Sequence, residues 1–451
     1  MPSADSEEGP REGSDEESQE QQRDPLLDNH HLDDIDWQAV LSSPARVLGL
    51  VAALCALLLL GDAGTASKIW SAVLPQYNGG LYCPHAPLWG QDRRPDPGRL
   101  RIVALNAEYL MFDASEGCKQ QWHGCPWSTA AAAHRHLLNV AIALARLNAD
   151  VISLSEVRSC DELRTLASLL GSDYAPYMVQ GSDTYTHQNM GLLSRVDPVT
   201  DLWRSDARAT WPLPSSACGP ESDGAAGTQG VSKHYVAELQ LGEHKVALVG
   251  AHFLAGTRGA DARSRSRCAQ REAQAAVIRG TVTGLASHGA HVVVLGDFND
   301  FDRFVPDSTS NAPHSQALHL MQTGDVSVNP YDALPRLQRS APGWPCSELV
   351  LQSVMGKVDF SRRHSVWSDL NKDCVISGGA ELSLVDHVLV TEGLVGAVAA
   401  ADIPLFYGPV QGGQKMCKDD PSYVSDHWPV VVDFDLAKLP TPSTRTLCRV
   451  D

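Results

Sequence analysis

The stretch His291-Val-Val-Val-Leu-Gly-Asp-Phe-Asn-Asp300 decides how this chain is read. Four apolar residues, Val292 to Leu295, predict a short strand buried on both faces. Gly296 ends the run, and Asp297, Asn299 and Asp300 follow at its C-terminal end. In extended backbone, residues two apart project to the same side. Asp297 and Asn299 thus form a carboxylate–amide pair at the edge of a rigid element, suited to holding a hard cation and a water molecule. A polar turn after a strand has the same letters, so the surrounding sequence must decide.

Outward from this strand the chain alternates strand and helix. Cys268 to Ala286 predicts a long helix before it, and Lys245 to Gly250 a buried strand ending at Ala251-His252. Further back, Leu100 to Asn106 and Asp150 to Leu154 read as strands, as do Met190 to Leu193 and Tyr235 to Leu241. Thr129 to Leu147 and Asp161 to Leu170 read as helices. Two long stretches, Ser205 to Gly230 and Asp302 to Asp373, show no periodicity; loops of that length in a compact domain are usually functional or disordered.

The N-terminus is different. Residues 1 to 46 hold 13 acidic and 3 basic residues, so they carry −10 of the formal −18. Their low hydrophobicity predicts disorder over 1–45. Gln22-Arg-Asp-Pro-Leu-Leu27 resembles acidic dileucine sorting signals, which suggests an endolysosomal destination. Val47 to Gly61 is an apolar run stopped by Asp62, shorter than the roughly 20 residues that span a bilayer. It can be a signal anchor, a cleaved signal peptide with Ala66 ending a small-residue site, or a buried helix. The expectation is a transmembrane signal anchor over 46–66, then a linker over 67–98. That makes a single-pass membrane protein with a lumenal or extracellular domain, or, if cleaved, a secreted one. The remaining body, near −7, offers no electrostatic footprint for tight sequence-independent nucleic-acid binding.

Ten of the 11 cysteines lie beyond the apolar run, an even, scattered set that suggests up to five disulfides of unspecified pairing. No CxxC pair occurs, which argues against a zinc ribbon. Asp369-Leu-Asn-Lys-Asp373 mimics the opening of a calcium loop. However, Cys374 and Ala380 stand where an EF-hand needs glycine and a bidentate glutamate.

Polar residues recur at strand ends in the motifs LNAEYL (Asn106, Glu108), ISLSEV (Glu156), GAHFLAG (His252), VLGDFND (Asp297, Asn299), SLVDHVL (Asp386) and VSDHWPVVV (Asp426, His427). A charge such as Asp386 inside a strand is costly unless paired. Six motifs in this order resemble the endonuclease/exonuclease/phosphatase superfamily across roughly Leu100 to Phe434. That family includes pancreatic-type deoxyribonucleases, apurinic endonucleases, neutral sphingomyelinases and inositol polyphosphate 5-phosphatases. The resemblance implies a four-layer α/β/β/α sandwich of two mixed sheets over 99–436, with 437–451 as a C-terminal tail. It also implies hydrolysis of a phosphate ester by water, assisted by Mg²⁺ or Mn²⁺.

Carried over motif by motif, Asn106, Glu156 and Asp426 are the expected metal-site residues, with Glu156 the principal ligand. Asp297 would position or deprotonate the attacking water, and Asn299 would steady it. His427, oriented by Asp386, would contact the phosphate or act as base. His252 would stabilise the transition state or protonate the leaving oxygen, and Glu108 would support the metal ligands. Mg²⁺ favours carboxylates and water, and two histidines near pKa 6.5 could exchange protons near neutrality. Arg195 reads as an ordinary surface arginine. The expected substrate is nucleic acid, which the Arg- and aromatic-containing loop from Pro335 to Trp367 could contact. The alternative is a phospholipid or inositol phosphate cleaved at a membrane. The chain is expected to act as a monomer without a protein partner.

Overall fold

The computed structural model describes residues 83, 90–111, 125–216, 218, 226–255, 262–325, 349–408, 417–418 and 420–440. The expected acidic tail (1–45), the anchor (46–66) and the C-terminal tail from 441 lie outside these residues. Two βαβ units organise the domain. In the first, strand β1 (Arg99–Leu110) leads through helix α1 (Ala130–Leu147) to strand β2 (Val151–Val157), which pairs parallel with β1. Helix α2 (Cys160–Leu170) and strands β3 (Ala175–Tyr177) and β4 (Asn189–Ser194) follow. A small hairpin, β5 (Ala209–Trp211) with β6 (Gly227–Gln229), precedes strand β7 (Lys233–Leu241). The second unit runs from β8 (His244–His252) through helix α3 (Ala262–Ser287) to β9 (His291–Asp297), again a parallel pair. Parallel neighbours require such crossovers, and each crossover helix lies on a sheet face.

After β9 come helix α4 (Ala317–Thr323), strand β10 (Leu351–Ser353) and a two-stranded ribbon of β11 (Val366–Trp367) with β12 (Leu382–Ser383). Strand β13 (Asp386–Thr391), the short helix α5 (Glu392–Val395), β14 (Val398–Asp402) and β15 (Val430–Asp435) complete the domain. One sheet has the order β14-β15-β1-β2-β4-β3, the other β10-β13-β9-β8-β7.

Side-chain alternation builds the four layers. On β1, Leu100, Ile102 and Ala104 join Val293 and Leu295 of β9 in the core between the sheets. The opposite faces point at helices: Val103 and Leu105 pack with Leu137, Val140 and Leu144 of α1, and Val292 and Val294 with Ile278 and Val282 of α3. Four consecutive apolar residues on β9 are needed because both of its faces are covered. Thr129 caps α1 by accepting a hydrogen bond from the Ala132 N–H (3.1 Å).

Several expectations are revised. The stretch Ser205 to Gly230 contains the β5–β6 hairpin, and Asp302 to Asp373 contains α4, β10 and β11; these elements are too short to leave a periodic signal. The segment expected as a linker contributes residues 90–98 to the domain. Asp92 bridges to Val196, Arg93 pairs with Asp197 and Arg94 with Asp92.

The expectation of a single-pass membrane protein is corrected. No helix among the described residues is long and apolar enough to cross a membrane. The two helices of sufficient length carry arginines, among them Arg135 and Arg146 on α1 and Arg267, Arg271 and Arg279 on α3. Both pack an apolar face on a sheet.

Disulfides join Cys83 to Cys160, Cys218 to Cys268 and Cys374 to Cys417.

Candidate active site

The C-terminal ends of both parallel pairs, β1/β2 and β8/β9, lie at the same end of the sandwich. The antiparallel strands β13 and β15 begin there. This brings Asn106, Glu156, His252, Asp297, Asp386, Asp426 and His427 together from six chain segments. One link crosses between the sheets and another joins β1 to β2. The Asn106 side-chain amide donates to Asp297 Oδ2 (3.0 Å) and to Glu156 Oε1 (3.1 Å).

Local backbone distortions aim these groups. The β1–β2 register slips between Asn106 and Leu110, and the β2–β4 register between Leu154 and Val157. At these bulges Glu108, Tyr109 and Glu156 take φ of 44°, 52° and 64°, and Asn299 takes 53° after β9. Non-glycine residues hold such angles only where the surroundings enforce them. Here the Tyr109 N–H and the Gln188 side chain donate to Glu156 Oε2 (3.0 and 2.7 Å), and the Asn299 N–H donates to Asp297 Oδ1 (2.9 Å). Gly296, with φ 134°, lets β9 approach β8: a Cβ there would meet the Ala251 carbonyl oxygen at 2.1 Å.

Asp297 is buried, and it faces Asp386 across the β9–β13 ladder. Burial, reinforced by Asp386, pushes its carboxyl up to about 7 against the pull of His427 and Asn106. His427 donates from Nδ1 to Asp386 Oδ2 (2.7 Å). Burial opposes a charge on this ring, but Asp386, Asp426 and Asp297 outweigh it and hold His427 well above the ordinary histidine value. His252, with Nε2 3.5 Å from Asp297 Oδ2, goes the other way: burial first, then Lys233 and His427, push it well below. The two histidines are therefore not matched proton exchangers, as the sequence suggested. One is held as the cation and the other neutral.

Each of the nine expected site residues lies in or beside this cluster. Asn299 is set slightly apart, its side-chain amide donating to the Phe253 carbonyl (3.1 Å). Glu108 accepts from Tyr423 Oη (2.6 Å), from the Asp426 N–H (3.2 Å) and from Lys418. Burial, with repulsion from Asp426, raises its carboxyl to about 7. Arg195 is no surface group. It is buried on Asn148 and Asp150 with its guanidinium over the Tyr174 ring.

Of the Arg-rich loop, the described Arg362 and Arg363 are engaged with backbone carbonyls, Arg362 also with Asp402. Arg336, Arg339 and Trp344 lie outside the described residues.

Several contributors had no sequence signal because they come from irregular loops. Ser365 donates to Asp386 Oδ2 (2.7 Å) and accepts from the Asp386 N–H (3.1 Å). Ser425 ties the Asp426-His427 turn to the Asn106 carbonyl (2.8 Å). Gln188 links Glu156 to Lys233, whose Nζ lies 3.3 Å from its amide oxygen.

The donor set suits a hard divalent ion. Glu156 and Asp426 offer carboxylate oxygens, while Asn106 turns its amide nitrogen toward Glu156 and Asp297 and accepts the Glu108 N–H on Oδ1 (3.0 Å). Asp297, Asp386 and His427 place one ligand atom each within 4.8 Å of one another. Two buried atoms here, Asp386 Oδ1 and His252 Nδ1, have no hydrogen-bond partner. The Asp426 carboxylate has its nearest cationic atoms, Lys418 Nζ and His427 Nε2, at 4.0 Å.

The Endonuclease/Exonuclease/phosphatase family matches residues 125–427. No curated protein matches the sequence. Among solved structures, the chain is similar to the endonuclease/exonuclease/phosphatase from Bacteroides vulgatus (16% identity, 75% of this chain and 99% of that one, TM-score 0.44). It is also similar to an AP endonuclease from Archaeoglobus fulgidus (12% identity, 74% and 99%, TM-score 0.44). A third is D. rerio TDP2 complexed with single strand DNA product (13% identity, 74% and 98%, TM-score 0.40). With the family matched over two thirds of its length, the chain belongs to the endonuclease/exonuclease/phosphatase family of metal-dependent phosphoric ester hydrolases.

Proposed function

We propose that this domain is a nuclease-type phosphodiesterase that uses Mg²⁺ or Mn²⁺. Glu156 and Asp426 would hold the ion, with the Asn106 side chain beside it on Glu156; as a Lewis acid the ion would offset charge building on the phosphoryl oxygens. Asp297, its carboxyl raised to about 7, is the group to accept a proton from the attacking water near neutral pH. Asn299 and Asn106 keep that carboxylate in place from either side. His427, held protonated by Asp386, presents Nε2–H as a charged donor toward the phosphate. His252, neutral, can offer one N–H to a phosphoryl oxygen without adding charge.

The observation that carries this reading is the Asn106–Asp297 hydrogen bond, which joins the proposed metal site of one sheet to the proposed base of the other. The test is a panel of plasmid DNA, RNA, sphingomyelin and inositol phosphates with Mg²⁺ and an EDTA control. Nucleic-acid cleavage that disappears in Asp297→Ala supports the proposal. Release of choline phosphate or inorganic phosphate alone would assign the site to lipid or inositol phosphates instead.

A further inference from the structure

Lys418 reaches into the carboxylate cluster from the far side. Its Nζ binds Glu108 Oε1 and stands 4.0 Å from Asp426 Oδ2. Glu108 is buried and already fully engaged: Lys418 takes one oxygen, while Tyr423 Oη and the Asp426 N–H take the other. The lysine does not arrive by chance of a long side chain alone. Its neighbour Cys417 is bonded to Cys374, which anchors the backbone beside the site. Half of the Lys418 side chain is exposed, facing a cavity of about 370 Å³ lined also by Trp127, Arg135 and Tyr423.

We propose that Lys418 is a built-in cation. It neutralises Glu108 and the Oδ2 side of Asp426, so the centre takes one divalent ion, held by Glu156 and the other Asp426 oxygen, rather than two. Carboxylates held this close need compensating positive charge. An ammonium supplies it permanently, as one charge that cannot be chelated away. Removing it leaves the buried Glu108 and the partly exposed Asp426 without that cation, and a second divalent ion is the natural replacement.

The inference rests on the metal centre proposed above, and the experiment separates the two. Mn²⁺ binding to the whole protein is measured by calorimetry and by electron paramagnetic resonance at pH 8, with circular dichroism to verify folding. Wild type is expected to bind one equivalent. Lys418→Met is expected to bind two, with the first bound roughly tenfold tighter because a positive charge has left its surroundings. Glu108→Gln added to Lys418→Met should return the count to one. A wild type that binds two ions, or a Lys418→Met variant that still binds one, overturns the inference. Failure of the wild type to bind Mn²⁺ at all would instead overturn the proposed metal centre. Serine in place of Cys374 and Cys417 should shift the titration in the direction of Lys418→Met if the disulfide delivers the lysine.

Discussion

At the scale of single residues, burial and partner placement separate groups of identical ordinary chemistry. Asp297 and Asp386 face each other on adjacent strands, but the His427 ring hydrogen-bonds to Asp386, and burial raises Asp297. Changing Asp297 to alanine should lower kcat by about 10³-fold or more, the usual range for losing a general base. Asp297→Asn should also reveal a stability cost. The folded-state pKa lies above the ordinary carboxylate value. Its favourable contribution is thus present at low pH and is lost as pH rises through about 7. In metal-free protein at pH 8 the asparagine variant should be more stable by about 4 kcal/mol, and at pH 4 the difference should vanish, as read by urea denaturation. Asp386→Asn should leave the fold intact but remove the charge that keeps His427 protonated, lowering kcat by about 10²-fold. The activity of that variant should fall further as pH rises from 6 to 8. Cys374 shows how far a sequence rule reaches. It takes the left-handed conformation (φ 64°) that a calcium loop reserves for glycine, while Asp369 accepts from the Asp373 and Cys374 N–H groups.

Secondary-structure elements were legible where an apolar period ran for a turn or more. The central strand, α1 and α3 follow from their periodicity, although their ends moved by up to six residues. Those shifts matter. The strand expected to stop at Asn106 continues through a bulge to Leu110, and that continuation turns Glu108 toward Tyr423 and Lys418. Short pieces such as β11 left no trace, yet β11 holds the Asp426-His427 turn through the Trp367 N–H to the Asp426 carbonyl (2.9 Å). Two element-level substitutions test this architecture. Gly296→Ala must displace β9 from the Ala251 carbonyl and accept a φ of 134°. It should cost at least about 2 kcal/mol in chemical denaturation and reduce activity even where the protein folds. Thr129→Ala removes only the α1 cap and should cost about 1 kcal/mol without affecting kcat.

At the scale of the whole molecule, the site is a junction of two sheets, so ion binding and folding are coupled. An ion held, as proposed, by Glu156 and Asp426, residues 270 positions apart in the chain, would stabilise the folded form by mass action. At 100 times its dissociation constant, Mg²⁺ should add about 2.7 kcal/mol. Thermal unfolding should therefore shift upward with Mg²⁺ and return with EDTA, whereas Glu156→Ala should show no shift.

The sequence by itself determined the layered α/β class, because periods of two and of 3.6 can each bury a face in only one way. It also named the candidates for the chemistry, because six motifs at strand ends resemble, in order, those of the endonuclease/exonuclease/phosphatase superfamily. Only the tertiary structure decided how those residues divide the work. The protonation of His427 against that of His252, the capture of Glu108 by Lys418, and the support from Ser365, Ser425 and Gln188 all depend on distances between segments far apart in the chain. Electrostatic and hydrogen-bond energies fall off within a few ångströms. No spacing along the chain encodes them until the two sheets have packed.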